Sequence, residues 1–127
     1  MSKITFTGEY EFRASKKMLY PYINTASGLA QWFADDVNIN ADKVFIFLWD
    51  GEENRAKMAA SRLNSFVKFE FLNGDEDDPN HLEFKLDMNE LTQSVYLRIT
   101  DYSEMESDEA QELWDSLIHD LKEIVGG

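Results

Sequence analysis

The stretch SDEAQELWDSLIHDLKEIVG, Ser107 to Gly126, decides the fold. Its apolar residues Ala110, Leu113, Trp114, Leu117, Ile118, Leu121, Ile124 and Val125 recur at i, i+3, i+4, i+7, i+8, i+11, i+14 and i+15. That spacing predicts one apolar stripe along a long amphipathic helix. Ser107 reads as the N-cap, Asp108 and Glu109 suit the positive end of the helix dipole, and Gly126 reads as the stop. Such a helix needs one broad apolar surface to lie on.

The residues before it supply a sheet. Ile4, Phe6, Tyr10 and Phe12 alternate with Thr5, Thr7, Glu9 and Glu11, the period of a half-buried strand, with Gly8 marking a bulge or close approach. From Val37 to Thr100 the chain reads as a meander. Val44 to Trp49 is apolar on both faces, which predicts cover on both sides, and it ends at an Asp50-Gly51 turn. Asn54 to Ser61 sets Ala56, Met58 and Ala60 against polar neighbours, so the two alanines mark either close helix approach or open volume between helix and sheet. Val67, Phe69 and Phe71 follow, then Leu82, Phe84, Leu86 and Met88, and finally Val95, Leu97 and Ile99. Short polar connections favour antiparallel pairing.

Two short helices are predicted between the first strand and the meander. Ser15 caps a run in which Met18, Leu19, Tyr22 and Ile23 keep helical spacing around Pro21, which shortens or kinks it. Asn24 to Gly28 reads as a turn. Leu29, Trp32 and Phe33 then stand at i, i+3 and i+4, predicting a second short helix with its aromatic pair on one side.

A chain of 127 residues is the size of one domain, taken as residues 1–127, and buries roughly two-thirds of its unfolded surface. Nine Phe, five Tyr and three Trp promise an aromatic core. The absence of cysteine removes disulfides, thiolate metal sites and a Cys nucleophile, and fits a reducing compartment. MSKITFTGEYEF shows no basic start followed by an apolar run, so neither a signal peptide nor a membrane span is expected, and the location expected is cytoplasmic. A formal net charge of −13 repels nucleic acid and anionic lipid. The small basic group Arg13, Lys16 and Lys17 reads as a solvated loop and helix start.

Taken together, EYEFRAS, MLYPYI, SGLAQWFADDVN, FLWDG and LWDSLIHDLKEIVG make the chain similar to the START-like (SRPBCC) helix-grip superfamily, which includes the birch-pollen allergen fold. Within it, the chain resembles small START-like proteins of Bacteroidetes related to the activator of the heat-shock ATPase family. The resemblance covers nearly the whole chain and implies an α+β helix-grip fold, a curved antiparallel sheet with two short helices and one long C-terminal helix. It also implies a groove between the sheet and the last helix. Trp32 and Phe33 would then form a lid with Asp35 and Asp36 at its rim, the alternative being that both aromatics fill the core. The residues expected to converge on an apolar ligand there are Trp32, Phe33, Phe45, Phe47, Trp49, Phe69, Phe84, Leu97, Trp114 and Ile118.

Catalytic signals are sparse. No phosphate-binding glycine motif is present, and no cofactor, catalytic residue or metal site is expected. Asp115, His119 and Glu123 share a helix face, a pattern more common on solvated surfaces than at metals. Asp75 to Asp78 lacks the rest of a calcium loop. Three readings follow: a non-catalytic domain binding a small apolar ligand; a protein-interaction module, chaperone-linked by resemblance; and an enzyme such as an aromatic cyclase. The last would need a polar residue in the groove, for which Tyr10, Tyr20 and Tyr96 are candidates.

Overall fold

The computed structural model describes residues 3–72, 74 and 76–127. Strand β1 (Ile4–Phe12) leads into α1 (Lys16–Asn24) and α2 (Ala26–Leu29). The strands β2 (Asp36–Ile39), β3 (Phe45–Trp49), β4 (Glu52–Arg62), β5 (Phe66–Phe71), β6 (His81–Asn89) and β7 (Ser94–Ser103) follow, and α3 (Ser107–Val125) closes the chain. The strands form one curved antiparallel sheet in the order β1-β7-β6-β5-β4-β3-β2. Six of the seven strands are therefore neighbours in sequence, and only β1 returns to the last strand. Phe12 pairs with Val95 and Ile4 with Ser103, without a break in register. Gly8 thus makes no bulge; a Cβ there would meet the rings of Tyr10 and Phe6 at 3.0 and 3.1 Å, so it is a close approach.

Local chemistry places the elements. The Ser15 hydroxyl accepts from the Met18 N–H (3.1 Å) and starts α1. Asp50 and Gly51 have φ of 51° and 81°, the left-handed pair that a two-residue hairpin requires, and Trp49 pairs with Glu52 across it. At the other end of the chain the Gly126 N–H donates to the Lys122 carbonyl with Gly126 at φ 88°, ending α3 as its sequence predicts.

Three expectations about the helices need correction. The residues 24–28 are not a turn: Thr25 breaks the backbone for one residue, and its hydroxyl accepts from the Gly28 N–H (2.9 Å) to cap α2. The second helix accordingly ends at Leu29, and Trp32 and Phe33 sit in the turns beyond it, where the Leu29 carbonyl accepts from the Phe33 N–H at 2.9 Å. Helical spacing persisted past the helix because consecutive turns keep a similar angular step. Helix α3 begins at Ser107 itself, with Glu106 as its N-cap and no side-chain capping bond.

The expected two-sided cover of β3 is also one-sided. Phe45 and Phe47 are buried, whereas Ile46 and Leu48 are half-buried, with Asn38, Arg55, Asp36 and Glu53 as their cross-strand neighbours. Ala56 is fully buried between its cross-strand partners Phe45 and Phe71. Ala60 is exposed, because the register of β4 against β5 shifts between Met58 and Ala60.

The core lies between the sheet and the helices. From α3 it takes Ala110, Trp114, Ile118 and Leu121, which are buried, and leaves Leu113 and Ile124 40% and 38% exposed. The single stripe of the sequence therefore divides into a buried line and an open line. No described helix is long and apolar enough to cross a membrane.

Candidate functional site

The open line of α3 borders a groove. Its opposite wall is built from the turn after α2, the ends of β3 and β5, the starts of β4 and β6, and the end of β7. The space enclosed is about 1000 Å³, ample for a small organic ligand. Leu113, Leu117 and Ile124 form the helix side, with Phe71, Leu82 and Met105 facing them from the sheet and the β7–α3 connection.

All three tryptophans of the chain, Trp32, Trp49 and Trp114, stand in this wall. Each indole N–H is spent inside the protein. Trp32 Nε1 donates to the Tyr22 carbonyl (2.8 Å), Trp49 Nε1 to the Phe33 carbonyl (2.8 Å) and Trp114 Nε1 to Asp101 Oδ2 (3.0 Å). Satisfied donors fix the rings and leave the groove an aromatic surface without indole donors. Phe33 links them: it stacks on Trp114 at 5.7 Å and 15°, and meets Trp49 edge-on at 5.1 Å.

The ten residues expected at a ligand separate by depth. Trp32, Phe33, Trp49 and Trp114 line the groove. Phe45, Phe47, Phe69, Phe84, Leu97 and Ile118 belong to the core and are not among the lining residues. Phe84 is the second layer, touching Trp32, Phe33 and Trp114 at 5.7, 5.8 and 5.9 Å between ring centres. Trp32 and Phe33 are therefore buried with the core and also line the groove. Asp35 stands at the rim, where its carboxylate accepts from the Asp50 N–H (2.8 Å). Asp36 is instead the first residue of β2, paired with Leu48.

The sequence reading missed Leu113, Leu117 and Ile124 as wall residues, since exposed and buried members of one stripe look alike in sequence. It placed Asp35 at the rim but missed the other polar contributors. Asp35, Asp101, Asp120 and Glu123 line the groove, while none of its described lining residues is Lys or Arg. His81 is the histidine of the wall, stacked on Tyr102 at 4.9 Å, and burial, with Lys68 adding to it, pushes its imidazole below the ordinary value. That favours the neutral form.

Tyr10, Tyr20 and Tyr96 are absent from the described lining. Tyr10 donates to Asp115 (2.9 Å), and its pKa is raised by burial first and by that carboxylate second. Asp115 also accepts from Gln111, and His119 pairs with Glu123 at 2.9 Å on an exposed face. Among the described residues no group of three or more His, Cys, Asp or Glu could hold a metal ion. The run from Asp75 begins outside the described residues; Asp78 accepts from the Tyr102 hydroxyl and the Lys3 ammonium.

The comparisons agree with this architecture. The family model described as a START-like superfamily domain matches residues 1–127. A protein of Bacteroides fragilis solved by NMR is 40% identical, covering 98% of this chain and 92% of its own, with a TM-score of 0.66. The Aha1 dimer of Colwellia psychrerythraea is similar at 17% identity and a TM-score of 0.78, covering 96% of each chain. CalU16 of Micromonospora echinospora is similar at 9% identity and a TM-score of 0.70, covering 98% of this chain and 87% of its own. The last two likenesses concern the fold. No curated protein matches the sequence.

Proposed function

Because this chain belongs to the START-like superfamily, we propose that residues 1–127 act as one non-catalytic domain that holds a small apolar ligand between sheet and α3. One observation carries the reading: a groove of about 1000 Å³ walled by all three tryptophans, with their N–H groups already bonded elsewhere. Rigid aromatic walls and uncovered Leu113 and Ile124 are what an apolar guest would cover. The described lining does not include Tyr10, Tyr20 or Tyr96, the tyrosines that a cyclase-type reading would use. The chain has no cysteine, which suits a reducing compartment such as the cytoplasm.

N-phenyl-1-naphthylamine, a neutral fluorescent probe, tests this. Binding should raise its emission, quench the tryptophans and raise the melting temperature, since a ligand of the native state stabilises it by mass action. Leu117→Gln should weaken binding several-fold with little change in melting, as Leu117 is half-buried at the groove side. Probe binding that ignores this change would place the site elsewhere.

The interaction-module reading has its own observation. Leu63 and Leu91 are 76% and 95% exposed at the tips of the β4–β5 and β6–β7 connections, at the far end of the sheet from the groove mouth. A partner docked there would be lost in a Leu63→Ser, Leu91→Ser double variant that still binds the probe.

A further inference from the structure

Acidic side chains gather at the end of the sheet where the groove is walled by β3, β4 and β7. Where β3 meets β4, and where β7 leaves for α3, the exposed side chains are Asp50, Glu52, Glu53, Glu104 and Glu106. The cations placed near them are engaged: Lys3 with Asp78 and Arg55 with Glu53. Arg13, Lys16, Lys17 and Arg62 lie where β1 runs into α1 and β4 turns toward β5, an end that also carries exposed Asp87 and Glu90 and the Gly127 carbonyl, which accepts from the Arg13 N–H (2.7 Å).

Four carboxylates, Asp35, Asp101, Asp120 and Glu123, share the wall with three indole rings. An anionic headgroup entering there would find no described lysine or arginine, no indole N–H, and a histidine held toward neutrality. A cation would meet carboxylates at the rim and ring faces within, both of which attract positive charge. Low-dielectric walls of one charge sign focus the field between them.

We propose that the groove selects ligands that carry a cationic head, an amine or quaternary ammonium, on an apolar body, and discriminates against carboxylates and sulfates of the same size. This rests on the reading of the groove as a ligand site. Asp120 and Glu123, the latter paired with the His119 imidazole at 2.9 Å, set the selectivity, because they stand exposed on α3 beside Leu113, Leu117 and Ile124 in the groove wall.

Three probes with one chain length separate the terms: decyltrimethylammonium, decanol and decyl sulfate, each below its micelle concentration, competed against N-phenyl-1-naphthylamine on the full chain. The cation should bind about tenfold tighter than the sulfate at low salt, with the alcohol between them. The preference should shrink in roughly 0.5 M salt, where exposed charges are screened. An Asp120→Lys, Glu123→Lys double variant should reduce the preference to about threefold or less. Asp87→Lys with Glu90→Lys is the control: both residues are exposed on β6 and the β6–β7 connection, outside the groove lining, and the net charge changes equally. If both doubles erase the preference alike, net charge acts rather than the groove, and the proposal is overturned. Equal affinity for the three probes would overturn the charge selectivity while the apolar site stands. Failure of decanol to bind at all would remove the site and the selectivity together.

Discussion

Trp114 and Leu113 are consecutive on the apolar stripe of α3, and alanine at each should give very different losses of stability. Trp114 is 2% exposed, stacks on Phe33 and gives its N–H to Asp101, whereas Leu113 is 40% exposed at the groove. A buried indole removes on the order of 200 Å² from water. At about 25 cal/mol per Å² that amounts to about 5 kcal/mol. The groove beside it lets solvent enter the gap, so Trp114→Ala should cost about 3 to 5 kcal/mol. For Leu113, roughly 2 kcal/mol for a fully buried leucine, reduced in proportion to exposure, leaves about 1 kcal/mol. Urea unfolding followed by circular dichroism avoids any dependence on tryptophan emission, and the midpoints should differ with the slope unchanged. Losses within about 1 kcal/mol of each other would show that the stripe does not divide into a buried and an open line.

Gly28→Ala should destabilise by about 3 kcal/mol, since its Cβ would stand 2.0 Å from the Pro21 carbonyl oxygen and 2.7 Å from the Tyr22 Cα, both backbone atoms that cannot rotate away. Ser27→Ala, at an exposed neighbour, is the comparison and should be near neutral by thermal melting. Deleting Asp108 to Gly127 removes Trp114 from Phe84 and Lys122 from the Phe12 ring, so the remainder should lose its cooperative melt; a sharp transition would refute the grip of α3 on the sheet. His81 is held below 6.5, chiefly by burial, so the unfolded chain takes up that proton at a higher pH than the folded one. Its contribution to stability is complete above about pH 6.5 and is lost as pH falls from there toward the folded value. The melting temperature of His81→Gln should show a shallower decline across that interval, and an undiminished slope would assign the effect to carboxylates.

The parts of the fold that were legible in sequence are those where one period dominates. Alternation in β1, β5, β6 and β7 and the stripe in α3 each reflect a single face meeting a single core, and Asp50-Gly51 is a local requirement of backbone angle. Boundaries set by competition were not legible. Thr25 could extend α1 or cap α2, and it caps because its hydroxyl reaches Gly28 N–H while donating to the Pro21 carbonyl. Ala60 turned outward through a register shift that nothing in MAAS announces. The wall of the groove was half legible: large aromatics must be buried, so Trp32, Phe33, Trp49 and Trp114 could be named. Which leucines remain uncovered depends on how far α3 leans over the sheet, a long-range property. The indole partners Tyr22, Phe33 and Asp101 are brought in by tertiary structure in the same way.

The place of β1 beside β7 has a consequence for how the protein is made. On the ribosome β1 emerges first, and it meets its hydrogen-bonding neighbour only after every other strand has been translated. Strands β2 to β6 can zip together in the order of their synthesis, each finding a partner already waiting. Until β7 arrives, Phe6, Tyr10 and Phe12 ride on a tethered segment with its ladder groups unmet, and closing that long loop carries the largest entropy of any pairing in the sheet. A ribosome that stalls before Ser94 therefore holds out an amphipathic strand able to zip onto the same strand of the next nascent chain on the polysome.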